Sequence, residues 1–147
     1  MRQVTSDTAH IRIHCPPDQL FDFMSDPARL DLWSFGTWQT EIAADGLVRG
    51  TSLFNGGLIY LRIVADQQTG LVDYLLGKEP DRLARRIFAR ILPASDSGGP
   101  ADAADLLLVA LRSRDMEDTR WEDLKALHAV EVRLIKQLIE SGYDHRK

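Results

Sequence analysis

Polar and apolar residues alternate along "TAHIRIHC" (residues 8–15), placing Ile11, Ile13 and Cys15 on one side and His10, Arg12 and His14 on the other. A period of two predicts a half-buried strand. The period lengthens in "PPDQLFDFMSD" (16–26), where Leu20, Phe21 and Met24 recur at helical spacing behind two prolines that end the strand and favour a helix start. Asp26 then suits the N-cap of a second short helical turn over "PARLDLW", with Pro27 at its first position.

From Thr37 onward the pattern is that of strands. "TWQTEIA" and "LVRGTSLF" flank "ADG", a hairpin signal, and "NGG" (55–57) marks another turn because Asn and Gly tolerate positive φ. "LIYLRIVAD" alternates Ile59, Leu61 and Ile63 against Tyr60 and Arg62; "QQTG" turns the chain into "LVDYLLG" (71–77). Segment 80–93, "PDRLARRIFARILP", fits two patterns. Leu83, Ile87 and Ile91 lie at helical spacing behind Pro80, but Ile87, Ala89 and Ile91 also alternate with Arg86, Phe88 and Arg90. We expect a strand, because "LVDYLLG" and "DLLLVALRSRD" (105–115) otherwise lack a partner between them. "SDSGGPADAAD" (95–105) reads as a long flexible loop between two strands.

The last segment, "MEDTRWEDLKALHAVEVRLIKQLIESG" (116–142), predicts one long helix, with Thr119 and Glu122 as a capping box and Gly142 as the C-cap. Its apolar stripe runs through Leu124, Leu127, Ile135 and Leu138. Glu131 falls near the centre of that stripe, with His128 one turn before it on the same side. The order is strand, two short helices, about six antiparallel strands, long helix. It predicts a single α+β domain over 1–147, in which a curved antiparallel sheet of about seven strands wraps around the C-terminal helix. A strongly curved sheet closed over by one helix leaves space between them, and such spaces are common ligand sites.

Composition narrows the partners. A chain of 147 residues with 44% hydrophobic and 27% charged residues has the make-up of one ordinary soluble domain. A formal net charge of −4 weighs against nucleic acid or an anionic membrane as the main partner. The basic run "DRLARRIFAR" (81–90) reads as a solvated face. The single cysteine, Cys15, excludes an intrachain disulfide and reads as a small buried hydrophobe. There is no basic n-region followed by an apolar core, and the longest apolar run, "LLLVAL" (106–111), is too short to span a bilayer. A cytoplasmic location is expected, without stable membrane insertion.

The stretch "IRIHCPPDQLFDFMSDPARLDLW" (11–33), with later "VDYLLG", "ARILP" and a terminal helix ending in "IKQLIE", resembles the helix-grip fold of the Bet v 1-like, START-related superfamily, also called SRPBCC. Its opening strand, proline-led helix and tryptophan shortly after an Asp-Pro carry the resemblance. Many bacterial members are labelled polyketide cyclase/dehydrase or lipid-transport proteins. The resemblance implies an internal cavity for an apolar or aromatic small molecule and no one chemistry.

In such a fold the inner face of the last helix roofs the cavity, so Glu131 would look into it. A buried carboxylate costs several kcal/mol, roughly, unless it is hydrogen-bonded, paired or protonated. Glu131 is therefore a candidate polar anchor or general acid/base with a raised pKa, and His128 a candidate partner. The alternatives are an ion pair with Arg62, Arg86 or Arg90, or a helix rolled so that Glu131 lies at the rim. Of the aromatics Trp33, Phe35, Trp38, Phe54, Tyr60, Tyr74 and Trp121, we expect Trp33 and Tyr74 to form cavity wall, beside Leu124, Leu127 and Ile135. No metal or cofactor is expected: the histidines show no ligand spacing, Arg12 would repel a cation between His10 and His14, and no P-loop, dinucleotide fingerprint or GxSxG elbow is present.

Three functions follow as expectations. The first is binding of a hydrophobic or aromatic small molecule, lipid or polyketide-like, between sheet and helix. The second is a polyketide cyclase or dehydratase using an acid/base such as Glu131. The third is an interaction module whose cavity is filled by side chains; a homodimer stays open as a state of the chain.

Overall fold

Strands and helices follow one another in the order that the hydrophobic pattern predicts. In the computed structural model, which describes residues 5–147, β1 (Ser6–Ile13) leads into α1 (Pro17–Ser25), a 3-10 turn (Pro27–Arg29) and the short α2 (Leu30–Trp33). Six strands follow: β2 (Trp38–Ile42), β3 (Val48–Thr51), β4 (Leu58–Asp66), β5 (Leu71–Glu79), β6 (Arg82–Pro93) and β7 (Ala104–Leu111). The long helix α3 (Asp118–Ser141) ends the fold. Asp26 caps the 3-10 turn as its spacing predicts, accepting from the Ala28 amide at 2.9 Å.

The strands form one curved antiparallel sheet in the order β1-β7-β6-β5-β4-β3-β2. Strands β1 and β2 are consecutive in the chain and lie at opposite edges, so α1 and α2 carry the chain across the concave face. Segment 80–93 is a strand because β5 and β7 both need it: β6 pairs with β5 over 82–90 and with β7 over 87–93. Its alternation is broken once. Tyr74 pairs with Ile87 and Leu75 with Arg85, which leaves Arg86 as an extra residue in a β-bulge.

Two local expectations are corrected. Helix α3 starts at Asp118 with Glu117 at the N-cap and no side-chain cap, so Thr119 lies inside the helix and forms no capping box with Glu122. The segment 95–105 holds more structure than a flexible loop. A 3-10 turn (Ala94–Ser97) closes on Gly98, and Ala94 and Ala103 are buried and joined by an amide–carbonyl bond of 3.0 Å. Gly142 is the C-cap, with its φ of 71° and its amide bonded to the Leu138 carbonyl.

The two halves of α3 pack differently. Val132, Ile135 and Leu138 in the second half join the main core with Ile13, Leu106 and Leu108. Lys136 reaches the Arg12 carbonyl at 2.9 Å, and Glu140 accepts from the His14 amide at 2.9 Å, which pins this half to the β1 edge. In the first half, Trp121 and Leu124 form a separate small cluster with Ala110. His128 and Glu131 lie between these two packed regions, and both are buried.

Gly70 tests the tightness of the β4–β5 turn. Its φ is +70°, and a Cβ there would fall on the Ile91 carbonyl oxygen; Gly56 has a similar φ of +73° with open space around it. Gly56→Ala is expected to cost about 1 kcal/mol, from φ alone, and Gly70→Ala at least about 2 kcal/mol, from φ plus the backbone clash. Equilibrium urea unfolding measures both, and equal losses would contradict the close approach to β6.

Candidate functional site

Beneath the first half of α3, facing β4, β5 and β6, lies a cavity of about 880 Å³. Trp33, Tyr74 and Glu131 border it at 5%, 1% and 3% exposure and form its deep end. Leu61, Leu76, Leu124 and Leu127 give it apolar wall. Arg86 and Arg120 stand nearer the solvent, both half-buried.

Glu131 owes its position to the helical period, which puts it on the inner face of α3 with Leu124 and Leu127. Its Oε2 accepts from the Phe35 amide at 2.9 Å, and none of Arg62, Arg86 and Arg90 pairs with it. Arg62 goes to Asp45 at 3.2 Å, and Arg90 donates to the Thr69 carbonyl. Burial pushes the Glu131 carboxyl up to about 8, against the smaller opposing pull of the Phe35 amide. At neutral pH it is a protonated acid. His128 Nε2 lies 3.8 Å from Glu131 Oε1, within reach of an ion pair. Yet burial, with repulsion from Arg120, pulls the imidazole down to about 4. Between those two values neither group is charged, so the pair is two neutral side chains in contact.

The two aromatic candidates are both wall residues, and their polar ends differ. The Tyr74 hydroxyl donates to the Met24 carbonyl at 2.6 Å, which leaves only its ring to a ligand. Trp33 stands edge-on to that ring at 5.9 Å, and its Nε1 is buried without a partner among the described residues, as is His128 Nδ1. Leu124 and Leu127 border the cavity; Ile135 is fully buried in the main core and does not. Trp38 is elsewhere, stacked on His145 at 5.4 Å, and the Trp121 ring lies in the small cluster beneath Lys125.

Sequence alternation hid Arg86. It set Ile87, Ala89 and Ile91 against Arg86, which entered only as one of three possible ion-pair partners of Glu131. The bulge resets the phase, so Arg82, Ala84 and Arg86 border the cavity before it and Ile87 after it. Arg120 had a legible signal: it lies four residues before Leu124 on the same helical stripe. Desolvation, then repulsion from Arg120, lowers the pKa of Arg86, while Asp115 raises it. Among the described residues no three His, Cys, Asp or Glu side chains are placed to hold a metal ion, and no helix is long and apolar enough to cross a membrane.

The site makes stability depend on pH. Glu131 keeps its proton on folding up to about 8, whereas in the unfolded chain it loses it near its ordinary 4.5, so stability falls as pH rises between these values. His128 acts oppositely between about 4 and its ordinary 6.5, because there the unfolded chain binds more protons. Above pH 6.5 the His128 contribution fades and that of Glu131 continues, while the Tyr74 hydroxyl, raised by burial, keeps its proton. Between pH 6.5 and 8 the wild type is expected to lose on the order of 2 kcal/mol that Glu131→Gln does not lose. Urea unfolding of both proteins at the two pH values measures the difference, and parallel profiles would mean that the carboxyl is ionised in the fold.

No protein-family model and no curated protein matches the chain. Solved structures do. A START superfamily protein from Mycobacterium smegmatis superposes with a TM-score of 0.62 at 12% identity, over 95% of this chain and 100% of that one. DynU16, from the dynemicin biosynthetic locus, superposes at 0.67 and 13% identity, over 97% of this chain and 49% of its own. The Aha1 dimer from Colwellia psychrerythraea superposes at 0.64 and 14% identity, over 92% and 96%. With the curved seven-stranded sheet, the paired short helices and the roofing C-terminal helix, these likenesses establish that the chain has the SRPBCC/START-like helix-grip fold.

Proposed function

We propose that this chain is a cytoplasmic binding protein for an apolar or aromatic small molecule, held between the sheet and α3. The observation that carries the reading is the cavity of about 880 Å³ under the first half of the helix. Its size lies within the roughly 300–1,000 Å³ usual for small-molecule sites. Apolar walls would supply affinity through burial, about 25 cal/mol per Å² before ordering costs. Glu131, as a protonated acid, and the unpartnered Trp33 Nε1 and His128 Nδ1 would orient polar atoms of the ligand. The START-superfamily likeness supports the same reading. Space on this scale weighs against an interaction module with a filled interior.

A neutral probe tests this. N-phenyl-1-naphthylamine fluorescence is expected to rise on addition of protein and to be quenched by competing apolar molecules. Leu127 borders the cavity from α3 and is half-buried, so Leu127→Trp should narrow the space beneath the helix and obstruct a ligand held against it. Dye affinity is expected to fall at least about tenfold while the melting temperature holds or rises. Unchanged affinity in that variant would place the dye elsewhere and remove the cavity from the function.

One observation favours a second reading, an enzyme of the cyclase or dehydratase kind: a neutral carboxylic acid set in an apolar cavity is a competent proton donor. Glu131 would protonate a carbonyl or hydroxyl of a folded poly-β-ketone chain. Activity should then fall as pH rises through about 8 and disappear in Glu131→Gln, with substrate affinity retained. Assay of poly-β-ketone thioesters by mass spectrometry checks both; turnover in the Gln variant would exclude Glu131 as the acid.

A further inference from the structure

Two arginines border this cavity with no counter-ion among the described residues. Arg86 projects inward at the β6 bulge, and Arg120 lies in the first turn of α3. Each has a buried Nη1 without a hydrogen-bond partner, and among the described residues neither guanidinium has a carboxylate within 4.0 Å. Buried charged donors left unsatisfied are costly, and like charges close together add to the cost.

Three further features make this more than a solvated basic edge. Arg120 lies at 5.2 Å over the Phe54 ring, which engages the face of the guanidinium and leaves its in-plane N–H groups for an acceptor. A cation in the first turn of α3 adds to the positive end of the helix dipole instead of opposing it. The charges that border the cavity near its opening are also unequal: Lys78, Arg82, Arg86 and Arg120 against Asp115 and Glu117. Arg82 is spoken for by Glu79 at 3.5 Å, and Asp115 is exposed. An acceptor with oxygens in a plane or fork would meet both open guanidinium edges.

We infer that the ligand of this cavity carries an anionic oxygen group, a carboxylate or a phosphate ester, held between Arg86 and Arg120 while its apolar body extends toward Trp33 and Tyr74. This deepens the binding reading above and presupposes it. The anion would relieve the repulsion between the two arginines and satisfy their open donors. The apolar body would occupy the wall formed by Leu61, Leu76, Leu124 and Leu127. The charged end therefore sits nearer solvent and the apolar end deeper, which sets the direction in which the ligand enters.

The test is displacement of N-phenyl-1-naphthylamine by decanoate, decyl phosphate and decanol, each below its micelle concentration. Equal chain lengths make the head group the only variable. At least one anionic competitor is expected to act at about tenfold or more lower concentration than decanol, the order expected for a charge-assisted hydrogen bond. The preferred anion then separates a carboxylate ligand from a phosphate one. In Arg86→Met and Arg120→Met the ratio of anion to decanol potency should collapse to about threefold or less, with the free protein as stable as wild type or more so. Equal competition by decanol in the wild type, or a preference that persists in both variants, overturns the anion site and leaves the apolar cavity standing. Dye that never binds removes both. Should a variant fail to fold, the wild-type ratio of anion to alcohol alone decides.

Discussion

One helix cannot cover seven strands. Strands stand about 4.8 Å apart, so a seven-stranded sheet is roughly 29 Å wide, while a helix with its side chains is about 10–12 Å across. Curving the sheet reduces the mismatch without removing it. Helices α1 and α2 take up part of the remaining width, and the second half of α3 is pinned to the β1 edge by Lys136 and Glu140. What stays uncovered lies in front of β4, β5 and β6, and the cavity is there. The candidate site follows from that deficit.

The cavity's electrostatics follow from depth. Far from water, a carboxyl and an imidazole three residues apart on α3 are both driven to their neutral forms by the same desolvation. They form a polar contact in place of an ion pair, with proton donors and acceptors available to an uncharged ligand. Nearer the solvent, Arg86 and Arg120 each hold a buried Nη1 with no hydrogen-bond partner among the described residues. The polarity of the site is thus graded along one axis, neutral hydrogen-bonding groups within and fixed positive charge outside. Such an axis favours an amphipathic ligand over a uniformly apolar one.

Most of the architecture was legible because it rests on local periods. Alternation in 58–66 and 71–77, helical spacing in 116–142, and proline before α1 each follow from where side chains point in a strand or helix, and the resulting order carries the fold. The ambiguous segment 80–93 was resolvable only through topology, since both periods fit its residues and the need of β5 and β7 for a partner decided between them. The capping box at Thr119 failed because the helix begins two residues earlier, with Glu117 at the N-cap. The residues 95–105 look like loop by composition, yet two alanines, Ala94 and Ala103, anchor them to the core.

The helical period alone puts a carboxyl on one stripe with Leu124, Leu127, Ile135 and Leu138, because 3.6 residues per turn fixes which side chains share a face. That the stripe faces inward at Glu131 came from the fold. The sequence also offered Trp33 and Tyr74 as wall candidates, and both border the cavity. Only the tertiary structure decided that Glu131 would find a backbone amide, that of Phe35, and no arginine, because its partners come from segments far apart in the chain. Only the tertiary structure turned Arg86 inward, since a bulge is a property of two paired strands and leaves no mark in the alternation of either one.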